Sequence, residues 1–140
     1  MTIALSTTAR DNRLQQIIDE MDGGADGVTA TAMMHFYDNP RPASGAAITT
    51  ETLIASNALS EPSATISAGV LTFDTITDDV SADADADIGW CRIVDSDGAF
   101  VIDMDCGIAA SGAEIIFNTV TARIGGVVQI LSGSFTEGNA

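Results

Sequence analysis

The stretch of sequence that decides the fold is residues 88–106, IGWCRIVDSDGAFVIDMDC. Two apolar runs flank the tetrapeptide Asp-Ser-Asp-Gly at 95–98, which suits a type I turn followed by a glycine in the left-handed region. The segment is therefore predicted to form a β-hairpin whose turn is closed by Asp95 and Ala99.

A regular ladder running back from that turn predicts which side chains of the hairpin share a face. The predicted core face consists of Ile88, Trp90, Arg92, Val94, Phe100, Ile102, Met104 and Cys106. The opposite face is predicted to be at least partly exposed to solvent. It consists of Cys91, Ile93, Val101, Asp103 and Asp105. Cys91 and Cys106 point to opposite faces in this register, so a disulfide between them is not expected.

The remaining sequence predicts one helix and several short strands. Over residues 8–22 the apolar residues recur at helical spacing, Thr8 and Asp11 have the spacing of a capping box, and Gly23 supplies the stop. The apolar stripe of that helix is Leu14, Ile17, Ile18 and Met21. Strand patterns cover residues 27–38, 64–67, 70–76, 113–119 and 127–135, while residues 49–58 fit either a strand or a helical turn.

These elements predict a mainly β fold. Seven to nine short strands at this spacing, with one N-terminal α-helix, are typical of a jelly-roll-like antiparallel β-sandwich. The length of 140 residues suits a single domain over residues 1–140, with the helix at about 8–22 and strands from about 27 to 136.

The composition narrows the range of partners. The chain carries 5 basic residues, all of them arginine, and 20 acidic residues, for a formal net charge of −15. Such a surface repels phosphate backbones and anionic bilayers, so no direct nucleic-acid or membrane binding is predicted. The first residues lack a secretory signal pattern, which predicts synthesis in a cytosol. Partners are expected to be proteins, cations or neutral sugars.

No catalytic, cofactor-binding or metal-binding residues are predicted. An EF-hand around Asp97-Gly98 would need ligands at its first and twelfth positions, which are Ile93 and Met104. His35 lacks a catalytic signature nearby in the sequence, and acids two apart on a strand, as Asp103 and Asp105 are, ordinarily face solvent. The chain is therefore predicted not to be an enzyme.

Four stretches resemble a family of small virion proteins of tailed bacteriophages. They are IDEMDGGA at 18–25, FYDNPRP at 36–42, GWCRIVDSDGAFVID at 89–103 and GGVVQILSGSFT at 125–136. The family is that of the jelly-roll cement, or decoration, proteins of phage capsids. The resemblance implies a protein made in the host cytoplasm that binds the outer capsid surface, bridges major capsid protein subunits and pairs with itself as a homodimer.

Candidate contact residues follow from the outer faces of the predicted strands. The predicted protein-contact residues are Met33, His35, Tyr37, Ile93 and Val101, with Arg10 and Arg13 as candidates at a dimer seam. The apolar members either form a contact patch or lie under the helix and loops. Alternatives are a phage tail or fibre component, a carbohydrate-binding β-sandwich and a small carboxylate-dependent hydrolase. An inward-facing Trp90 counts against the sugar-binding alternative.

Overall fold

The structure is a computed structural model that describes residues 4–23 and 31–138 of the chain. Within these residues it has one helix, α1 (Thr7–Gly23), and ten strands. The strands are β1 (Met33–Tyr37), β2 (Leu53–Ala58), β3 (Ala64–Ser67), β4 (Val70–Phe73), β5 (Ala86–Asp87), β6 (Trp90–Val94), β7 (Phe100–Ile108), β8 (Ile115–Phe117), β9 (Thr121–Ala122) and β10 (Ser132–Thr136).

Eight of these strands form one mixed sheet in the order β2-β1-β6-β7-β8-β10-β4-β3, and β5 pairs with β9 in a separate two-stranded sheet. The β7–β8 pair is parallel, whereas the other neighbouring pairs are antiparallel. The prediction of a mainly β, jelly-roll-like fold with one N-terminal helix is confirmed, except that the parallel β7–β8 pair departs from the wholly antiparallel pairing predicted. The ambiguous region 49–58 contributes a strand, β2.

The large sheet curls over a single apolar core. Phe36 on β1 meets Phe117 on β8 edge to face, with ring centroids 5.2 Å apart, although these strands are not neighbours in the sheet. The chain after β4 returns to β2, where Leu59 bridges Ile76 and the Thr77 amide donates to the Ala58 carbonyl at 2.8 Å. The curl thus removes most of the inner apolar surface from water.

Helix α1 packs against β3, β4 and β7 through the predicted stripe, of which Leu14, Ile18 and Met21 are buried. Its N-terminus differs from the capping-box prediction. The Ser6 hydroxyl accepts from the Ala9 amide at 3.2 Å and therefore acts as the cap. The Asp11 carboxylate instead accepts from the Gly69 amide in the turn between β3 and β4, at 2.6 Å, and so ties the helix to the sheet.

Strand β1 confirms the alternation predicted for the second half of residues 27–38. Ala32, Met34 and Phe36 are buried on the core side, while Met33 and His35 are only partly buried on the other. The alternation follows from the period of two that a strand imposes on its side chains. Residues 24–30, which include the first part of that prediction, lie outside the described residues.

The predicted hairpin is present as β6 and β7, but its predicted register holds only next to the turn. Val94 lies opposite Phe100 as expected, whereas the next pair is Ile93 with Ile102, which leaves Val101 as an extra residue in β7. Beyond an extra residue the pairing is shifted by one, so each later residue lies opposite a partner that was predicted to be on the other face. Trp90 and Arg92 therefore share the outer face with Asp105 and Asp103. The predicted assignment of faces was wrong for β6, and also for Phe100 of β7, which is 45% exposed and flanks Arg92 on that outer face.

The same bulge corrects the predicted positions of the cysteines. Cys91 lies opposite Met104 and is fully buried, so it shares a face of the hairpin with Cys106. Both cysteines are free thiols. Burial raises the pKa of the Cys106 thiol strongly, and its hydrogen bond with Cys91 raises it further. The Cys106 thiol consequently stays protonated at neutral pH.

Candidate functional site

The outer face of β1, β6 and β7 carries an aromatic pair, of which Tyr37 was predicted on this face and Trp90 on the core face. Tyr37 and Trp90, which lie opposite each other on β1 and β6, stack with ring centroids 4.8 Å apart at an interplanar angle of 20°. The Trp90 indole N–H donates to the Asp38 carbonyl at 2.8 Å. Trp90 is therefore fully buried with its one polar group satisfied, although it lies on the side away from the core.

Next to this pair, Arg92 and Asp103 form a buried ion pair across the two strands of the hairpin. Arg92 donates through Nε to Asp103 Oδ1 at 2.7 Å and through Nη2 to Oδ2 at 2.9 Å. The side chains are 8% and 0% exposed, respectively. The guanidinium also lies between two rings, 5.5 Å from the centroid of Trp90 and 5.1 Å from that of Phe100. This bidentate, ring-flanked geometry is the one in which arginine binds most specifically.

A loop of residues 38–52, called the strap below, closes over this ion pair. The remaining Arg92 amino group donates to the Ala46 carbonyl at 2.7 Å, and the Gly45 amide donates to Asp103 Oδ2 at 3.0 Å. Gly45 has a φ of +72°, and a Cβ there would come within 3.2 Å of the Phe100 ring, so the position favours glycine on two grounds. The strap therefore depends on the ion pair for its position.

The electrostatics of the cluster keep the ion pair charged. Burial alone would raise the pKa of Asp103, but hydrogen bonds from Arg92 and Gly45 together bring it below its usual value. Hydrogen bonding to Asp103 raises the pKa of Arg92. Burial raises the pKa of Tyr37, so its phenol stays neutral. Asp105 is engaged separately by Arg41, at 2.9 Å. Arginines thus bind the carboxylates of both Asp103 and Asp105. The expectation that these acids face solvent holds for Asp105 but was wrong for Asp103, which the strap covers.

The tip of the hairpin uses its acids to build the turn. The Asp95 amide donates to the Ala99 carbonyl at 3.0 Å, and Gly98 has a φ of +83°, as the predicted type I turn with a left-handed glycine requires. The buried Asp95 Oδ1 accepts from the amides of Asp97 and Ala99 at 2.9 and 2.8 Å. This confirms that Asp95 serves as a turn former.

Replacing Asp95 with alanine is expected to lower the free energy of unfolding by about 1–2 kcal/mol, because the amides of Asp97 and Ala99 lose the charged acceptor that holds the turn. Urea unfolding of the variant measures this loss. Asp97→Ala is the matched control, since the Asp97 side chain is exposed and only its amide takes part in the turn. An Asp95 variant as stable as the Asp97 variant would contradict this account.

The structure places the predicted contact residues of the sheet at different depths. Ile93 is fully buried in the core, so its prediction as an outer contact residue was wrong. The cause is the extra residue Val101, which shifts the pairing of the two hairpin strands. Tyr37 is nearly buried in the aromatic pair, and Val101 packs partly against the core. Met33 and His35 remain partly exposed, and His35 Nδ1 lies 2.7 Å from the Ser56 hydroxyl. Burial lowers the pKa of His35.

Of the two arginines predicted at a dimer seam, Arg10 lies on the side of α1 that faces the sheet and Arg13 lies at the surface of the helix. The Arg10 guanidinium lies over Gly69 in the β3–β4 turn. Arg13, whose side chain is largely exposed, forms an ion pair with Glu137 at 2.9 Å. Each residue therefore has a contact within its own chain, and a role at a seam between copies stays a prediction.

Exposed apolar side chains gather in a second region, which includes none of the predicted contact residues. Residues 79–87 and 121–128, called the ribbon below, run alongside each other through β5–β9 and through hydrogen bonds such as Val128 N to Asp79 O at 2.7 Å. Val80, Ile124 and Val127 on this ribbon are 73%, 67% and 63% exposed. Val80 and Ile124 lie outside the predicted helix and strand patterns, and Val127 is only the first residue of the predicted strand 127–135, so no periodicity in the sequence indicated that these three side chains are exposed together.

A cleft of about 230 Å³ opens beside the ribbon. Its apolar walls are Ile88, Phe117, Ala122, Val127 and Val128, and its polar rim is Asn118, Thr119, Thr121 and Gln129. An adjoining hollow is lined by Asp85, Ala86, Asp87, Thr121 and Arg123. Thr121 lines both depressions and donates to Asp87 Oδ1 at 2.6 Å, so an apolar recess and a group of carboxylates adjoin each other.

Comparisons of the chain with protein-family models, curated proteins and solved structures find no match. Within residues 4–23 and 31–138, no helix has the length and apolar character needed to cross a membrane.

Proposed function

We propose that this chain is a virion structural protein that binds the outside of a tailed-phage capsid and stabilises contacts between major capsid protein subunits. In this proposal the protein pairs with itself as a homodimer and performs no catalysis. Its partners are the assembled shell and a second copy of the chain.

The observation that carries the proposal is the resemblance of four stretches to capsid decoration proteins. In the fold these stretches correspond to the end of α1, the end of β1 with the start of the strap, the β6–β7 hairpin, and the approach to β10 with most of that strand. The stretches therefore include parts of the helix and strands that enclose the core, together with the two hairpin strands that the strap covers. A net charge of −15 supports an outward-facing position, since the interior of a filled shell is lined by nucleic acid.

Stabilisation by such a protein needs no strong single contact. A protein that touches several shell subunits gains affinity through effective concentration, because each contact holds the others in reach. Binding to the assembled shell and not to free subunits then stabilises the assembly by mass action. The exposed side of the ribbon and the partly exposed Met33 and His35 are the surfaces that fit this role.

The test is a binding and stability experiment with shells assembled without this protein. Purified protein is expected to co-sediment with the shells, in copies proportional to the number of shell subunits, and to raise their resistance to heat and osmotic shock. Unassembled major capsid protein is the control and is expected to bind weakly. Binding of only a few copies per particle would indicate a tail component instead, and the absence of binding would contradict the proposal.

A further inference from the structure

The cleft beside the ribbon has the size and lining of a recess for one side chain. Its volume of about 230 Å³ lies below the range of roughly 300–1,000 Å³ that is typical of small-molecule sites. Ile88, Phe117, Ala122 and Val128 in its walls are each less than 10% exposed, so an apolar group seated there would contact packed, dry side chains. Such a recess suits a large aliphatic or aromatic side chain of a partner.

The charged residues around the cleft indicate the charge of the partner segment that would present this side chain. Asp85 and Asp87 line the adjoining hollow, with Arg123 as the cation among its lining residues. Asp78, which directly precedes the ribbon, accepts from Gln129 on the rim of the cleft at 3.1 Å. The rim of the cleft itself is neutral and polar, but the carboxylates of Asp85 and Asp87 in the adjoining hollow and of Asp78 beside Gln129 flank it. Charge complementarity therefore requires lysine or arginine on the partner, next to the group that enters the cleft.

We propose that the cleft binds an apolar side chain presented by an extended, lysine- or arginine-bearing segment of a partner protein. The apolar side chain enters the recess past Val127, and the basic residues lie over the carboxylates of the hollow. That this segment belongs to the capsid shell rests on the function proposed above, whereas binding of such a segment does not.

Synthetic peptides test the proposal directly. The probe has a central Phe flanked by two Lys on each side, and the control peptides carry Gly at the centre or Glu in the flanks. Amide shifts of the labelled protein are followed by NMR during titration at low salt. Saturable shifts are expected at the cleft residues, and they should weaken with added salt and disappear with either control peptide.

Two matched pairs of variants separate the recess from general charge. Val127→Asp is expected to weaken binding at least about tenfold, as loss of an anchoring contact does, while Val80→Asp, on the same ribbon but outside the cleft, changes it less than about twofold. Asp87→Asn is expected to weaken binding by about two- to fivefold, and Asp97→Asn at the distant hairpin tip not to change it. Thermal unfolding verifies that each variant folds, and Val127→Thr tests the recess with a side chain of similar shape.

Peptide binding that is equal for Phe and Gly centres, or equal for the Val127 and Val80 variants, would overturn the inference. The same variants added to capsid shells distinguish the two proposals. If wild-type protein binds shells but Val127→Asp binds as tightly, the shell contact lies elsewhere on the molecule. If the peptides bind and shells do not bind even the wild-type protein, the proposed function fails and the recess stands.

Discussion

Replacing Arg92 with alanine is expected to lower the free energy of unfolding by about 3–5 kcal/mol, because it leaves the carboxylate of Asp103 buried without its partner. The Asp103 side chain is fully buried, so water cannot replace the two lost hydrogen bonds without disturbing the strap. The variant also loses the contact to the Ala46 carbonyl, and the strap should become the first segment cut in limited proteolysis.

Two comparisons make this measurement specific. Arg13→Ala removes an ion pair whose arginine is largely exposed, and it is expected to cost at most about 1 kcal/mol in urea unfolding. The double variant Arg92→Met with Asp103→Leu removes both charges, and it should recover much of the stability that Arg92→Ala loses. Equal losses for Arg92→Ala and Arg13→Ala would show that the buried pair contributes no more than a surface pair.

The pH dependence provides an independent check on the same pair. The pKa of Asp103 is lower in the folded protein than in the unfolded chain, where it is near 3.9. Its contribution is therefore complete above about pH 5 and is lost as the pH falls through the folded pKa, since protonation then favours the unfolded chain. The double variant should lose less stability than the wild-type protein between pH 6 and pH 3.

Local patterns predicted the parts of the fold that depend on neighbouring residues. The hairpin turn follows from Asp95 and Gly98. The Asp95 carboxylate accepts hydrogen bonds from the turn amides, and Gly98 adopts the positive φ that the turn requires, all within five residues. The stripe of α1 follows from the period of 3.6 residues, and the alternation of β1 from the period of two. In each case the physical constraint lies within one element, so the sequence contains the information needed.

The outer face of the hairpin depended on contacts that no local pattern contains. Val101 is as apolar as its neighbours, and nothing in its identity marks it as the unpaired residue of a bulge. The ion pair of Arg92 with Asp103 is completed by Gly45 and Ala46, which precede Arg92 by more than 40 residues. The central part of the strap, residues 39–48, has neither helical nor strand periodicity, so its role in covering the ion pair could not be predicted.

These differences change where a partner is expected to bind. With Cys91 and Ile93 in the core and Trp90 and Arg92 under the strap, both faces of β6 are covered within the chain. The hairpin therefore stabilises the molecule, and a partner must use surfaces that remain open. The ribbon, with three exposed apolar side chains and an adjoining cleft, is the surface that best meets this condition in the part of the chain that the structure describes.

Replacing Phe36 with alanine is expected to lower the free energy of unfolding by about 3–5 kcal/mol, the cost of truncating a buried aromatic residue and leaving a cavity. Phe36 is fully buried and meets Phe117 across the curled sheet, so its loss affects the contact between two parts of the sheet that are not hydrogen-bonded to each other. Phe100→Ala is the control, because this ring is 45% exposed and mainly flanks Arg92. It is expected to cost about 0.5–1 kcal/mol.

A double-mutant cycle with Phe117→Ala tests whether the two rings act together. Because an edge-to-face pair contributes about 0.5–1.5 kcal/mol beyond the area it buries, the double variant should lose less stability than the sum of the single losses. Strictly additive losses would mean that each ring only fills its own space. In that case closure of the curled sheet would depend instead on the Leu59–Ile76 bridge and the hydrogen bonds beside it, which join β2 to the chain after β4.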